Sequence, residues 1–188
     1  IPEFIDLLRL LDALVDTTNQ IAFVAALRSV WFGISDEELF QWRQAKGIFS
    51  LYAEAPDNLS AETKQHFHVA LSKLQQYAKW KTTLSPLVAI EKIVEDIGIY
   101  PLFAAKGYGK RELTNLIQIL EALRVKEENE TMTFKQAVEF VKSQIEEKTN
   151  VISFEEDENA VRIMNVHKAK GLEASIVFLA HPGKKTEI

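Results

Sequence analysis

Hydrophobic positions recur at three- and four-residue intervals from residue 3 to about residue 148, the pattern of helices that each bury one face. Phe4, Leu7, Leu8, Leu11 and Leu14 make the first apolar stripe. Thr17 or Thr18 can cap a second helix carrying Ile21, Phe23, Val24 and Leu27, followed by the apolar break Val30-Trp31-Phe32-Gly33-Ile34. Ser35, with Glu38 three residues on, forms a capping box that opens a third helix. After the turn signal Ala55-Pro56-Asp57-Asn58, Ser60 opens a long helix to about Lys81, with Phe67, Ala70, Leu71 and Leu74 on its inner face. Ser85-Pro86 starts the next, because proline fits the first helical position where its missing N–H costs nothing. That helix carries Ile90, Ile93 and Val94 and stops at Gly98. Beyond Pro101 and the Gly107/Gly109 loop, another helix carries Leu113, Leu116, Ile117, Leu120 and Leu123 and has an acidic end at Glu127 to Glu130. Thr133 and Gln136 give a second capping box, and the helix after them buries Phe134, Ala137, Phe140, Val141 and Ile145.

The pattern changes after Asn150. Val151-Ile152-Ser153-Phe154 is a short apolar stretch, and Glu155 to Asn159 is an acidic loop that serves as a crossing between subdomains. Val161 to Val166 alternates as a strand does, and Ile176-Val177-Phe178-Leu179, within Ser175 to Ala180, is a continuous apolar run of the kind found in a buried parallel strand. The expectation is a mainly α chain: a helical subdomain over residues 1–150, then a small strand-containing piece of an α/β domain over 151–188.

Composition changes this picture little. The chain has 188 residues, enough for one good-sized domain, and its 47% hydrophobic and 26% charged residues are those of an ordinary globular protein. It has no cysteine, which excludes disulfides and thiolate metal sites and fits a cytoplasmic location. No apolar run reaches the ~20 residues that span a bilayer, so no membrane partner is expected. The opening Ile1-Pro2-Glu3-Phe4 lacks an initiator Met, a basic leader and a cleavage site; an excised piece of a longer protein is expected, not a secretory start. A net charge of −5 argues against a dedicated nucleic-acid binder, although a local basic patch can still hold phosphate on an acidic body.

The chemistry concentrates in residues 165 to 173, between the two predicted strands, where open α/β sheets gather ligands. Asn165 offers an amide, His167 an imidazole, Lys168 and Lys170 cations, Gly171 a bare backbone and Glu173 a carboxylate. Lysines and backbone N–H groups suit phosphate oxygens, whereas a carboxylate repels phosphate and better accepts from sugar hydroxyls. Taken without context, the same residues also read as a solvated turn between two strands.

In context they read further. Val161 to Leu179, VRIMNVHKAKGLEASIVFL, resembles motif V of the UvrD/PcrA/Rep and RecB/AddA DNA helicases, roughly a strand, then T-x-H-x-x-K-G-L-E, then an apolar strand. His167, Lys170, Gly171, Leu172 and Glu173 match in register. Asn165 stands where the family has Thr, replacing a hydroxyl by an amide that can still donate, and Ala174 stands where an aromatic is usual. The helical block before it is similar to the 2B subdomain that this family inserts into its second RecA-like domain. Leu27-Arg28-Ser29-Val30-Trp31-Phe32-Gly33-Ile34-Ser35-Asp36-Glu37-Glu38-Leu39 resembles the segment after motif IV in the RecB/AddA branch of helicase–nuclease subunits.

The resemblance implies Asn165 and His167 at the single-stranded DNA track, and Lys170, Gly171 and Glu173 at the nucleotide, with Glu173 on the ribose. It implies ATP and Mg²⁺ as cofactors of the intact protein, and none bound to this piece alone. DNA and a second helicase–nuclease subunit are the implied partners. The phosphate loop, the acidic pair that holds Mg²⁺, the arginine-bearing motif VI and the nuclease carboxylates are not recognisable in the 188 residues, so no catalytic residue and no metal ligand is assigned.

Among lesser features, the basic turn at Lys106, Lys110 and Arg111, beside Tyr108, is the candidate for duplex contact, against the simpler reading of a solvated helix start. His66 and His68 lie two apart on one helix and face different sides, and His181 lacks a partner. Trp31, Trp42 and Trp80 could stack on bases, but a helical core absorbs most tryptophans. The alternative to the helicase reading is a helical protein-interaction module without nucleotide chemistry; a regulatory nucleotide-binding domain stands third.

Overall fold

The computed structural model describes residues 2–106, 109–150, 164–171 and 173–179. Its elements are all helices: α1 (Pro2–Val15), α2 (Gln20–Leu27), α3 (Asp36–Gln44), α4 (Ala61–Thr83), α5 (Pro86–Asp96), α6 (Ile99–Ala104), α7 (Gly109–Asn129), α8 (Phe134–Asn150) and α9 (Val166–Ala169). The chain divides into two units, Ile1–Ser153 and Phe154–Ile188.

In the first unit α1 packs against α2, α4 and α8, α5 bridges α4, α6 and α7, and α7 lies along α8. The apolar stripes meet in one core that draws Leu10 and Leu11 from α1, Ala26 and Leu27 from α2, Ile90, Ile93 and Val94 from α5, Leu123 from α7 and Ala137 from α8. Aromatic rings fill it. Trp42 stacks on Phe67 at 4.0 Å between centroids, and Phe4 meets Phe103 edge-on at 5.6 Å. Such pairs contribute about 1 kcal/mol each beyond the area they bury.

Most helix starts follow the expected side-chain chemistry. The Ser35 hydroxyl accepts from Glu38 N–H at 3.2 Å while Glu38 Oε2 accepts from Ser35 N–H at 2.9 Å. Thr133 and Gln136 repeat the arrangement, with Thr133 N–H donating to Gln136 Oε1 at 2.8 Å and Gln136 N–H to Thr133 Oγ1 at 3.3 Å. Ser60 and Ser85 cap α4 and α5, and Pro86 occupies the first turn of α5. Gly98 has φ +72°, the left-handed conformation that ends α5, and it also precedes α6. The short helix α6 has no clear sequence signal because it contains Pro101; the proline sits in the first turn, where its N–H has no intrahelical acceptor to lose.

Several expectations are corrected. The cap of α2 is Asn19, not Thr17 or Thr18: its Oδ1 accepts from the N–H groups of Ile21 and Ala22, both at 3.1 Å. Thr18 instead donates its hydroxyl to Asp16 Oδ1 at 2.6 Å. Ile21 is 84% exposed and Ile117 53% exposed, so the inner faces of α2 and α7 run through Phe23, Ala26 and Leu27, and through Leu116, Ile119, Leu120 and Leu123. Leu10 belongs to the core, whereas Leu8 and Phe140 pack only at its edge.

No strand occurs among the described residues. Residues 161–163 of the first expected strand lie outside them, and Val166 begins α9. Ser175 to Leu179 form no ladder, and Ile176, Val177, Phe178 and Leu179 are 65–89% exposed. A β-strand gains its stability from a neighbour that satisfies its backbone N–H and C=O groups, and none of the described residues supplies one. The architecture is therefore mainly helical.

Candidate functional site

The residues singled out for chemistry gather on one connection in the second unit. Met164 and Asn165 lead into α9, whose single turn is closed by Ala169 N–H donating to the Asn165 carbonyl at 3.1 Å. Asn165 thus sits at the mouth of the helix, a position for which Asn is among the preferred residues. Lys170 and Gly171 form the turn that follows, and Glu173 lies just past it. An isolated run of apolar alternation is ambiguous between strand and helix, and here the segment around His167 turns instead of extending.

Every assigned polar side chain at this connection is exposed: Asn165, His167, Lys170 and Glu173, with Gly171 beside them. Neither His167 nor Glu173 is taken into a hydrophobic core. Gly171 has φ +84°, and a β-carbon built there meets no described residue within 4 Å. Leu172 lies outside the described residues. The acidic loop at Glu155 to Asn159 and His181 lie outside them too.

The possible duplex contact belongs to the first unit and fares differently. Lys106 donates to Glu3, a carboxylate only 5% exposed, and so is tied to the N-terminal turn of α1. Burial raises the Glu3 pKa, and the Lys106 hydrogen bond, a backbone hydrogen bond and the Lys106 charge together outweigh it, leaving the carboxyl below its ordinary value. Arg111 is exposed on α7, while Gly107, Tyr108 and the Lys110 side chain lie outside the described residues. Nothing in a spacing of 103 residues announces the Glu3–Lys106 pair.

Two more polar clusters of the first unit escaped the sequence. Tyr77 donates its hydroxyl to Asp96 Oδ2 at 2.5 Å, and Lys73 reaches the same oxygen at 3.1 Å. Burial, then the Asp96 hydrogen bond, push the Tyr77 phenol up; Asp96 is raised by burial but lowered further by Tyr77 and Lys73, ending below its usual range. His66 Nδ1 lies 2.6 Å from Glu38 Oε1, so this histidine braces the α3 capping box. Burial raises Glu38, and its bonds from Ser35 and His66 outweigh that and hold it low. The tryptophans serve packing: Trp42 is buried and donates to the Ile48 carbonyl at 3.2 Å, while Trp80 stacks on Tyr77. Among the described residues no group of three His, Asp or Glu side chains could hold a metal ion, and no helix is long and apolar enough to cross a membrane.

Comparison with known proteins places this chain in a family. Residues 2–186 match the UvrD-like helicase C-terminal domain, and the chain belongs to that family. Among curated relatives it is similar to an ATP-dependent helicase/nuclease subunit of Acetivibrio thermocellus, 26% identical over 185 residues, covering 95% of this chain and 15% of that protein. The protein of the same name from Thermoanaerobacter pseudethanolicus is 31% identical over 191 residues, again 95% of this chain and 15% of the relative. That from Bacillus cereus is 30% identical over 182 residues, 89% of this chain and 14% of the relative. The chain thus spans only about 15% of the length of the curated relatives it matches. No solved structure matches it.

Proposed function

We propose that this chain is the joint of an ATP-dependent DNA helicase/nuclease, at which a nucleotide and a DNA strand are held by neighbouring residues. In this reading residues 1–150 are the helical 2B-like subdomain, and 151–188 are the part of the second RecA-like domain that carries motif V. The intact protein would spend ATP to move along one strand and separate duplex DNA in break repair and recombination, beside a second subunit of a helicase–nuclease complex.

The carrying observation is that Asn165, His167, Lys170, Gly171 and Glu173 stand exposed around one helical turn. Asn165 and His167 would contact DNA backbone phosphate. Glu173 would accept hydrogen bonds from the ribose hydroxyls, and Lys170 with the Gly171 backbone would meet phosphate. These groups fit the sugar and one phosphate edge of ATP. ATP would supply the phosphoryl-transfer free energy; this segment's residues would bind and orient, while Mg²⁺ and the transferring phosphate would be handled by the rest of the protein. Two ligands on one short connection give a direct route for nucleotide state to alter grip on DNA, because any shift of the turn is felt by both.

The test uses the full-length protein with Glu173→Ala and His167→Ala. Nucleotide affinity is read with a fluorescent ATP analogue and single-strand affinity by anisotropy. Losing hydrogen bonds to a charged group costs about 1.5–3 kcal/mol, so Glu173→Ala should weaken nucleotide binding by about tenfold or more. His167→Ala should weaken the DNA strand while sparing nucleotide. Unchanged values in both variants would leave a protein-interaction module as the better reading of this segment.

A further inference from the structure

We propose that Gly171 is a positioning residue of this site, and that it acts through its left-handed backbone, which sets the direction in which the chain carries Glu173 away from the helical turn holding His167. What those two side chains hold is taken from the nucleotide–DNA reading above; the conformational part stands on the structure. A glycine beside a ligand site has two common physical reasons: a neighbour so close that no β-carbon fits, or a backbone angle that other residues resist. At Gly171 the first reason finds no support among the described residues, since an added β-carbon meets none of them within 4 Å. The second is present, with φ at +84°.

The position explains the angle. The turn of α9 ends at Ala169, Lys170 follows, and Gly171 occupies the place where a left-handed residue commonly stops a helix and redirects the chain. His167 is fixed to the helical side of that stop, and Glu173 lies on the far side. A residue with a β-carbon favours negative φ, which continues the helix or swings the following segment. Either change moves Glu173 relative to His167 without touching either side chain. Asparagine is the exception among larger residues, because it visits the left-handed region readily.

The experiment compares Gly171→Ala, Gly171→Asn, Glu173→Gln and His167→Ala in the full-length protein. Single-strand affinity is measured with and without a non-hydrolysable ATP analogue, and the ratio of the two gives the coupling between ligands; KM for ATP and DNA-stimulated kcat are read beside it. Left-handed backbone disfavours an ordinary L-residue by a factor on the order of ten, so Gly171→Ala should lower nucleotide affinity or coupling by about that factor. Gly171→Asn should restore both to within about threefold of the parent protein, a rescue that a role through small size would not give. The 188-residue chain provides a ligand-independent readout. Three-bond HN–Hα couplings at residue 171 should report positive φ in the Asn variant and negative φ in the Ala variant.

If Asn harms as much as Ala, the demand is for space at an approaching ligand and the proposal is overturned. If Ala behaves as glycine does, it is overturned likewise. Should Glu173→Gln and His167→Ala leave both affinities unchanged, the site reading itself fails and the proposal falls with it. That pattern differs from one in which 167 and 173 matter and 171 does not.

Discussion

Gly47 has no room for a side chain. A β-carbon there would lie 2.4 Å from Trp42 Nε1 and 2.7 Å from the Trp42 carbonyl oxygen, and the ring is buried against Phe67. Gly47→Ala should therefore destabilise the first unit by about 2 kcal/mol, the usual cost of forcing extra volume into a packed site, and thermal denaturation checks it. A melting temperature unchanged from the parent would mean that the 47–53 loop moves aside freely. At Tyr77 the issue is polar. Tyr77→Phe removes a 2.5 Å bond to Asp96 while leaving Lys73 in place, so a loss of about 1–2 kcal/mol is expected in denaturant titration. The pH dependence follows from the shift directions. Glu3, Glu38 and Asp96 are held below their ordinary values of 4.5, 4.5 and 3.8 in the folded state. Their contribution is present above those values and fades as pH falls through the lower folded ones, so stability should drop progressively below about pH 4.5. Tyr77 is raised above its ordinary value of 10.0; its contribution is intact below that value and is lost as pH climbs toward the folded one, so a second decline belongs above about pH 10. Melting temperatures across about pH 2–11 would show both, and in Tyr77→Phe the alkaline limb should shrink.

Helix ends show where local chemistry is sufficient and where it is not. Ser35 with Glu38 and Thr133 with Gln136 close their boxes as the spacing requires, since both partners lie within one turn. At α2 three candidate caps stand in a row, and neighbouring hydrogen bonds decide among them: Thr18 is taken by Asp16, leaving Asn19 for the helix. Asn19→Ala should cost about 1 kcal/mol, and Thr17→Ala less than about half that. Equal losses in denaturant titration would return the cap to the threonine. The acidic end of α7 names no partner in sequence, yet Glu127 Oε2 accepts from the Ser85 hydroxyl at 3.1 Å and Oε1 from Leu87 N–H at 3.3 Å. It places negative charge at the N-terminus of α5, where the helix dipole favours it. That role depends on two helices distant in sequence packing side by side and has no local signature.

At the scale of the whole molecule, the described residues of the two units differ in how much apolar surface they enclose. The first encloses a continuous core from α1 through α8. The second contributes one helical turn and the run Ile176–Leu179, whose apolar side chains lie exposed among the described residues. The chain corresponds to about 15% of its curated relatives, and a phosphate loop is not recognisable in it. The 188-residue chain alone should accordingly show no ATP turnover above background in a phosphate-release assay, because holding a sugar edge does not move a phosphoryl group. Single-stranded DNA should bind it weakly and with affinity that falls as salt rises, since a net charge of −5 leaves only local cations to displace counterions. Turnover by this chain would contradict the division of labour proposed for the site.

The order of the sequence was enough for most helices, their caps and inner faces, because those depend on contacts within a turn or on a period of 3.6 residues that any observer can count. It also carried the family, since His167, Lys170, Gly171 and Glu173 keep a fixed register along the chain. Which faces met each other was settled by three-dimensional packing alone. Ile21 reads like Phe23 in the pattern but is left outside, Lys106 finds Glu3 across 103 residues, and Tyr77, Lys73 and Asp96 converge from separate turns. Ser175 to Leu179 likewise stand without a ladder, because no described residue pairs with them. The reason is range: capping and periodicity are short-range and written in neighbours, whereas burial, ion pairing and strand pairing depend on groups that only folding brings within reach.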